Sequence, residues 1–122
     1  MSKRTNKNYL SDIQEAMQRI VEYTTGLTYK QFIQDVKTQD AVVRNLEIIG
    51  EATKNLSSSL RKTHAKIPWK EMAGMRDKMI HDYFGVNYEI VWTVATEELT
   101  TLLPKIQKLL TKKATNKPKN KP

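Results

Sequence analysis

The sequence predicts an all-α protein, an up-and-down bundle of four to five helices followed by a disordered basic tail. Glycine and proline are scarce in the middle of the chain, with four of each among 122 residues. Apolar residues recur at intervals of three and four, and no stretch shows the alternation typical of a strand. A chain of this length suits one domain that buries a core without disulfides or metals.

The first two helices are predicted from an apolar stripe and from their ends. The first runs from about Asn8 to Thr25 and stops at Gly26, which suits the left-handed conformation after a helix. Its stripe consists of Leu10, Ile13, Met17, Ile20 and Val21. A short helix over "YKQFIQDV" is expected next, with Thr28 as its N-cap.

The third predicted helix is the longest, from about Asp40 to Lys62. Its inward positions are Val42, Leu46, Ile49, Leu56 and Leu60. Gly50 lies inside this helix, where a glycine lowers helix stability by about 1 kcal/mol relative to alanine. We therefore expect a neighbouring helix to approach closely at Gly50.

The fourth predicted helix begins near Pro68, because proline fits the first turn of a helix. It is expected to bend or break near Gly74 and to run on to Phe84, ending at Gly85. This helix carries the polar residues on which the functional prediction depends.

The last predicted helix is capped by Asn87 and interrupted by Pro104, which predicts a kink or a restart at that point. Its apolar side is formed by Val91, Ala95, Leu99, Leu102, Ile106 and Leu109. We expect a flexible basic N-terminus over residues 1–8, a helical domain over 9–110, and a disordered lysine-rich tail over 111–122. The formal charge is +8, yet residues 9–110 hold 13 basic and 13 acidic residues, so the excess lies on the two ends.

Composition excludes several kinds of site. The chain has no cysteine, which excludes disulfides, thiol catalysis and cysteine zinc sites. Two histidines and no D-x-D or H-E-x-x-H pattern leave a metal without obvious ligands, so neither a metal nor another cofactor is expected. No apolar run approaches the roughly 18–20 residues that span a bilayer, and the basic start lacks an apolar leader. A cytoplasmic protein is predicted.

The stretch "RDKMIHDY", residues 76–83, places an arginine within the apolar stripe of the fourth helix. At about 100° per residue, Tyr83 returns to nearly the angle of Arg76, whereas His81 falls about 140° away. A charge within an apolar stripe must be paired, or must face a cleft or another subunit. His81 follows Asp77 by four residues, the spacing at which helical side chains meet, and a carboxylate there favours the charged imidazole of a general acid.

Each of these residues also has a structural interpretation. Arg76 could form a buried ion pair with Glu47 or Glu51 of the long helix. His81 could complement the dipole at a helix C-terminus, and Tyr83 could be an ordinary core residue. The angular separation of Arg76 and His81 requires an irregular helix, an arginine bent across its edge, or a site built from two chains.

The sequence around this stretch resembles a known family. The blocks "DAVVRNLEIIGEATKNLS" and "IPWKEMAGMRDKMIHDYFGVNYEIVW", which contain the pattern R-x-x-x-x-H-x-Y, are similar to the HepT-like branch of the HEPN superfamily, all-helical ribonuclease toxins of prokaryotes. The first helix "YLSDIQEAMQRIVEYTTG" extends the likeness over about residues 9–110. The fold that the resemblance implies is a HEPN-like helical bundle.

The resemblance implies a homodimer that brings two R-x-x-x-x-H sites into one cleft and cleaves RNA without a metal. It assigns Arg76 and His81 as the catalytic pair. Tyr83 becomes the tyrosine that a nucleotidyltransferase antitoxin of the MntA type adenylylates in a type VII-like toxin–antitoxin pair. Asp77 occupies a position next to the arginine that is often asparagine in the family, and its charge would oppose a phosphate.

Two further expectations concern partners. Dimerisation is predicted through the face that bears Met79, Ile80 and Tyr83. The alternative function is that of a non-catalytic helical subunit that binds the nucleotidyltransferase through its apolar stripe.

Overall fold

The computed structural model describes residues 4–81 and 85–119, and the side chains of Ile80, His81 and residues 112–119 lie outside that description. Helices dominate, which confirms the all-α prediction. The helices are α1 (Asn6–Thr24), α2 (Tyr29–Ile33), α3 (Val36–Lys54), α4 (Ser58–Thr63), α5 (Trp69–Ala73), α6 (Met75–Met79), α7 (Tyr88–Thr93) and α8 (Leu99–Lys119). Two short strands, β1 (Ile80–His81) and β2 (Gly85–Val86), separate α6 from α7, and a π-helical segment (Val94–Glu98) separates α7 from α8.

The core lies between α1, α3 and α8. Helix α1 packs along α3 and α8, and α3 also contacts α5 and α6. Every residue of the predicted stripe on the last helix is buried. The largest fully buried side chains include Phe32, Leu10, Ile13, Leu46, Met72, Leu99 and Ile106. Apolar burial at an interval of 3.6 residues is therefore what assembles the bundle.

The helix N-termini follow the capping prediction. Thr28 begins α2 with a reciprocal capping box that includes Gln31, and the side chain of Asn87 accepts the amides of the first turn of α7. Helix α1 begins at Asn6, two residues before the predicted start. The reason is a second capping box, between Thr5 and Asn8.

The long third helix is broken, contrary to the prediction. Helix α3 ends at Lys54, and α4 starts after Ser57, whose hydroxyl accepts the Leu60 amide at 3.1 Å. Asn6 of α1 fixes this break, because its side chain accepts the Ser57 amide and donates to the Ser57 hydroxyl, both at 3.0 Å. A polar contact between distant residues therefore decides where the helix stops.

Gly50 confirms the predicted close approach between helices. A Cβ atom added at Gly50 would lie 3.3 Å from the carbonyl oxygen of Ala73 at the end of α5. The backbone of α5 thus packs directly on α3, which fixes the position of the segment that follows it.

The predicted restart at Pro104 is not found, since α8 runs continuously through this residue. The departure from α-helical geometry lies instead at Val94–Glu98, where one π-helical turn precedes α8.

Helix α8 continues to Lys119, past Leu110, the last described residue that packs against the core. The expected division into a packed domain and a lysine-rich tail from residue 111 stays a prediction. Among the described residues, no helix is long and apolar enough to cross a membrane.

Candidate active site

The segment that contains the motif is not one helix. Gly74 ends α5 by donating its amide to the Lys70 carbonyl at 3.0 Å, which confirms the predicted break, and α6 begins at Met75. Helix α6 then ends at Met79, so the predicted continuation to Phe84 is wrong.

The early end of α6 has a clear cause in the pairing that follows it. Strands β1 and β2 pair antiparallel, with Ile80 opposite Val86 and His81 opposite Gly85. The Asn87 amide donates to the Met79 carbonyl at 2.7 Å, which gives the last carbonyl of α6 a partner outside the helix. Gly85 has a φ of +79°, a left-handed conformation that favours glycine, but it lies in β2 and does not end a helix as predicted.

The burial of α6 differs from the helical-wheel prediction. Met75 and Met79, four residues apart, are buried at 3% and 0% exposure, whereas the Arg76 side chain is 59% exposed. Arg76 therefore lies beside the buried stripe and not within it, because α6 ends at Met79 and the predicted stripe counted positions beyond that end as part of the helix. Met79 belongs to the protomer core, so its predicted place on a dimer face is wrong.

Glu47 of α3 holds the Arg76 guanidinium. Its Oε2 accepts from Arg76 Nε at 3.3 Å, and its Oε1 lies 3.7 Å from Nη1 of Arg44. The predicted ion pair with Glu47 is thus present, but at the surface and not buried. A surface pair of this kind contributes at most about 1 kcal/mol, so its main effect is to orient the arginine. Both terminal nitrogens of Arg76 remain without a partner among the described residues.

Of the other predicted site residues, Asp77 is fully described, His81 is described only in its backbone, and Tyr83 is not described. Asp77 is exposed next to Arg76. The helical spacing that would bring Asp77 to His81 does not apply, because α6 ends between them and His81 lies in β1. The backbone of His81 is thus fixed by strand pairing, its side chain lies outside the description, and Tyr83 lies outside the described residues altogether.

Arg44 and Lys78 also form ion pairs on this surface. Sequence reasoning missed Arg44, although its spacing of three residues from Glu47 on a helix is a signal for an ion pair. Lys78 Nζ lies 3.4 Å from Glu98 Oε2, which ties α6 to the π-helical segment. Among the described residues, no group of three or more histidine or acidic residues could hold a metal ion.

Comparison with known proteins identifies the family. Residues 13–109 match the family model described as "Ribonuclease HepT-like". The chain belongs to the HepT-like family. The resemblance based on the blocks around "RDKMIHDY" is thereby confirmed.

Curated HepT-like relatives cover most of the chain. The "Probable ribonuclease HepT" of Thermococcus cleftensis is 49% identical over 107 residues, which are 88% of this chain and 97% of the relative. A "Putative RNase" of Caldanaerobacter subterraneus subsp. tengcongensis is 44% identical over 89% of this chain and 97% of the relative. A "Putative RNase" of Methanocaldococcus jannaschii is 42% identical over 90% of this chain and 91% of the relative. No solved structure matches the chain significantly.

Proposed function

We propose that this protein is a metal-independent endoribonuclease, the toxin of a toxin–antitoxin pair, with Arg76 and His81 as its catalytic residues. The observation that carries the proposal is the Arg76 guanidinium, which is exposed, is oriented through Nε by Glu47, and has no partner for its terminal nitrogens among the described residues. His81 follows five residues later in a member of the HepT-like family. Relatives named as ribonucleases support RNA as the substrate.

The reaction requires a base, a proton donor and a positive charge that stabilises the transition state, and these residues supply all three. The 2′-hydroxyl of RNA attacks the adjacent phosphorus, its proton passes to a base, and the bond from phosphorus to the 5′-oxygen breaks as that oxygen receives a proton. His81 carries out proton transfer, and the planar fork of Arg76 stabilises the charge that builds on the phosphate oxygens. The products are a 2′,3′-cyclic phosphate and a 5′-hydroxyl.

Two copies of the chain form the proposed site. The angular separation on one helix no longer supports this, because α6 ends before His81. The dimer is instead supported by family membership and by the open side of Arg76, which faces away from its own protomer's core. In such a cleft, each chain contributes one arginine and one histidine.

The proposed chemistry predicts cleavage of RNA that survives EDTA but requires a free 2′-hydroxyl. Purified protein is incubated with end-labelled RNA and with the same sequence as 2′-O-methyl RNA, in the presence of EDTA. We expect fragments with cyclic-phosphate ends from the first substrate and none from the second. Loss of cleavage in EDTA, or cleavage of the methylated strand, would contradict the proposal.

Regulation is proposed to act through Tyr83. An MntA-type nucleotidyltransferase would join the tyrosine oxygen to the α-phosphorus of ATP and release pyrophosphate. The added phosphate would repel RNA and occupy Arg76, which would silence the toxin in the cytoplasm. Mass spectrometry of the protein co-expressed with such an enzyme is expected to find AMP on Tyr83. If a Tyr83→Phe variant is modified to the same extent, the AMP is attached to another residue and this proposal is contradicted.

One observation favours the alternative of a non-catalytic binding subunit. The exposed carboxylate of Asp77 lies next to Arg76 and would repel a phosphate there. The alternative predicts that Arg76→Ala keeps full toxicity in cells and loses the nucleotidyltransferase. Our proposal predicts the reverse, a loss of toxicity with the partner still bound.

A further inference from the structure

Charge is strongly segregated within the electrically neutral domain. Residues 52–70 and 99–110 together hold seven basic and no acidic residues. The rest of residues 9–110 holds six basic and all thirteen acidic residues. The neutral total therefore conceals one part with a net charge of +7 and another with −7.

The fold joins the two acid-free segments in one surface depression. Lys62 and Lys66 line it from α4 and the connection to α5, and Lys105 and Lys108 line it from α8. Its volume is about 530 Å³, and all four lysines are exposed. None of these four ammonium groups forms an ion pair within the described part of the chain, so their mutual repulsion is uncompensated.

A second depression adjoins the first and extends along α4 and α5. It has a volume of about 570 Å³ and shares Lys62 with the first depression. Arg61 and Lys70 add two more cations, and the lining reaches Ala73, three residues before Arg76. The Nε atom of Arg61 is buried without a hydrogen-bond partner among the described residues. We call the two depressions together the basic groove.

We propose that the basic groove binds the phosphate backbone of the RNA strand whose scissile bond lies at Arg76. This inference rests on the proposed function and adds a substrate-binding surface to it. Positive charge on both walls matches a polyanion, and Glu71 is the one acidic residue of the described lining. The groove leads from α8 along α5, the helix that directly precedes the one bearing Arg76.

The groove offers little for reading bases. Trp69 is 6% exposed, and its Nε1 donates to the His64 carbonyl at 3.0 Å, so its ring is not a free stacking surface. The apolar lining is formed by aliphatic residues such as Ile67 and Leu109. Backbone contacts without base contacts position a strand and do not select its sequence. The groove is therefore expected to contribute affinity that falls with salt.

The test is the binding of fluorescent single-stranded 2′-O-methyl RNA to the full chain, measured by anisotropy over a range of salt concentrations. K105Q/K108Q is expected to weaken binding about tenfold near 0.1 M salt, and to reduce the salt slope by roughly 0.7 for each lost contact. The matched control is K30Q/K37Q, which removes two exposed lysines of α2 and α3 outside the groove. The control is expected to bind nearly as the unmodified protein does.

The outcomes separate this inference from the proposed function. The methylated strand lacks the attacking hydroxyl, so its binding does not depend on whether Arg76 and His81 cleave RNA. Equal losses in both double variants would show a general charge effect and overturn the groove. Unchanged binding in K105Q/K108Q would also overturn it. Thermal unfolding of both variants confirms that the substituted chains are folded.

Discussion

Replacing His81 with alanine is expected to reduce RNA cleavage by about 10²- to 10⁴-fold, the usual contribution of a positioned acid or base. His81 is the one histidine in the R-x-x-x-x-H pattern, and strand pairing with Gly85 fixes its backbone. The loss should appear in kcat, since proton transfer belongs to the chemical step. Single-turnover cleavage of end-labelled RNA measures it.

His64 provides the matched control, because it is the other histidine of the chain. It lines the basic groove, and the hydrogen bonds it accepts from Trp69 and Ile67 involve its backbone carbonyl, which alanine retains. Because His64 lies in the proposed binding groove and not in the R-x-x-x-x-H pattern, His64→Ala is expected to keep kcat within a few-fold of the unmodified protein, and any loss should appear in KM. Equal activity of the His81 and His64 variants would remove His81 from the site.

Replacing Arg76 with alanine is expected to cost about 10²- to 10³-fold in kcat, the range measured when one group that stabilises transition-state charge is removed. The physical reason is the planar fork of its two terminal nitrogens, which have no partner among the described residues and match two phosphate oxygens. Arg76→Lys should restore little of the rate, because an ammonium group has no planar fork. The free energy of unfolding should change by at most about 1 kcal/mol, since the pair with Glu47 lies at the surface.

Arg44 is the control for Arg76. It contacts the same carboxylate of Glu47 and is more exposed, at 70%. Arg44→Ala removes the same charge from the same surface, and we expect a loss of no more than a few-fold. If both variants lose activity equally, the site needs only local positive charge, and the specific assignment of Arg76 is contradicted.

The parts of the fold that the sequence predicts well are those in which a regular period is repeated. The stripe from Val91 to Leu109 is buried at every predicted position, because a long amphipathic pattern has one inward face. The caps at Thr28 and Asn87 are local and visible in the residues themselves. The break at Ser57 depends on Asn6, 51 residues away, and no local pattern contains that contact.

The candidate site was harder to predict, because it lies where the helical period fails. Strands β1 and β2 have two residues each, too few for an alternating pattern, so the apolar period alone extends α6 past Met79. That error placed Arg76 within the buried stripe, although the structure exposes it beside Glu47. The basic groove could not be predicted from the sequence for another reason, because Lys62 and Lys105 are distant in sequence and only the fold brings them together.

Mixing two inactive variants tests whether Arg76 and His81 act together in a cleft shared by two copies of the chain. Arg76→Ala and His81→Ala are combined under conditions that allow subunits to exchange, and RNA cleavage is compared with that of each variant alone. The mixture is expected to regain activity well above either parent, because the mixed dimer contains one intact arginine and one intact histidine in its cleft. Activity that stays at the level of the parents, although mass spectrometry finds mixed dimers, would contradict a shared site.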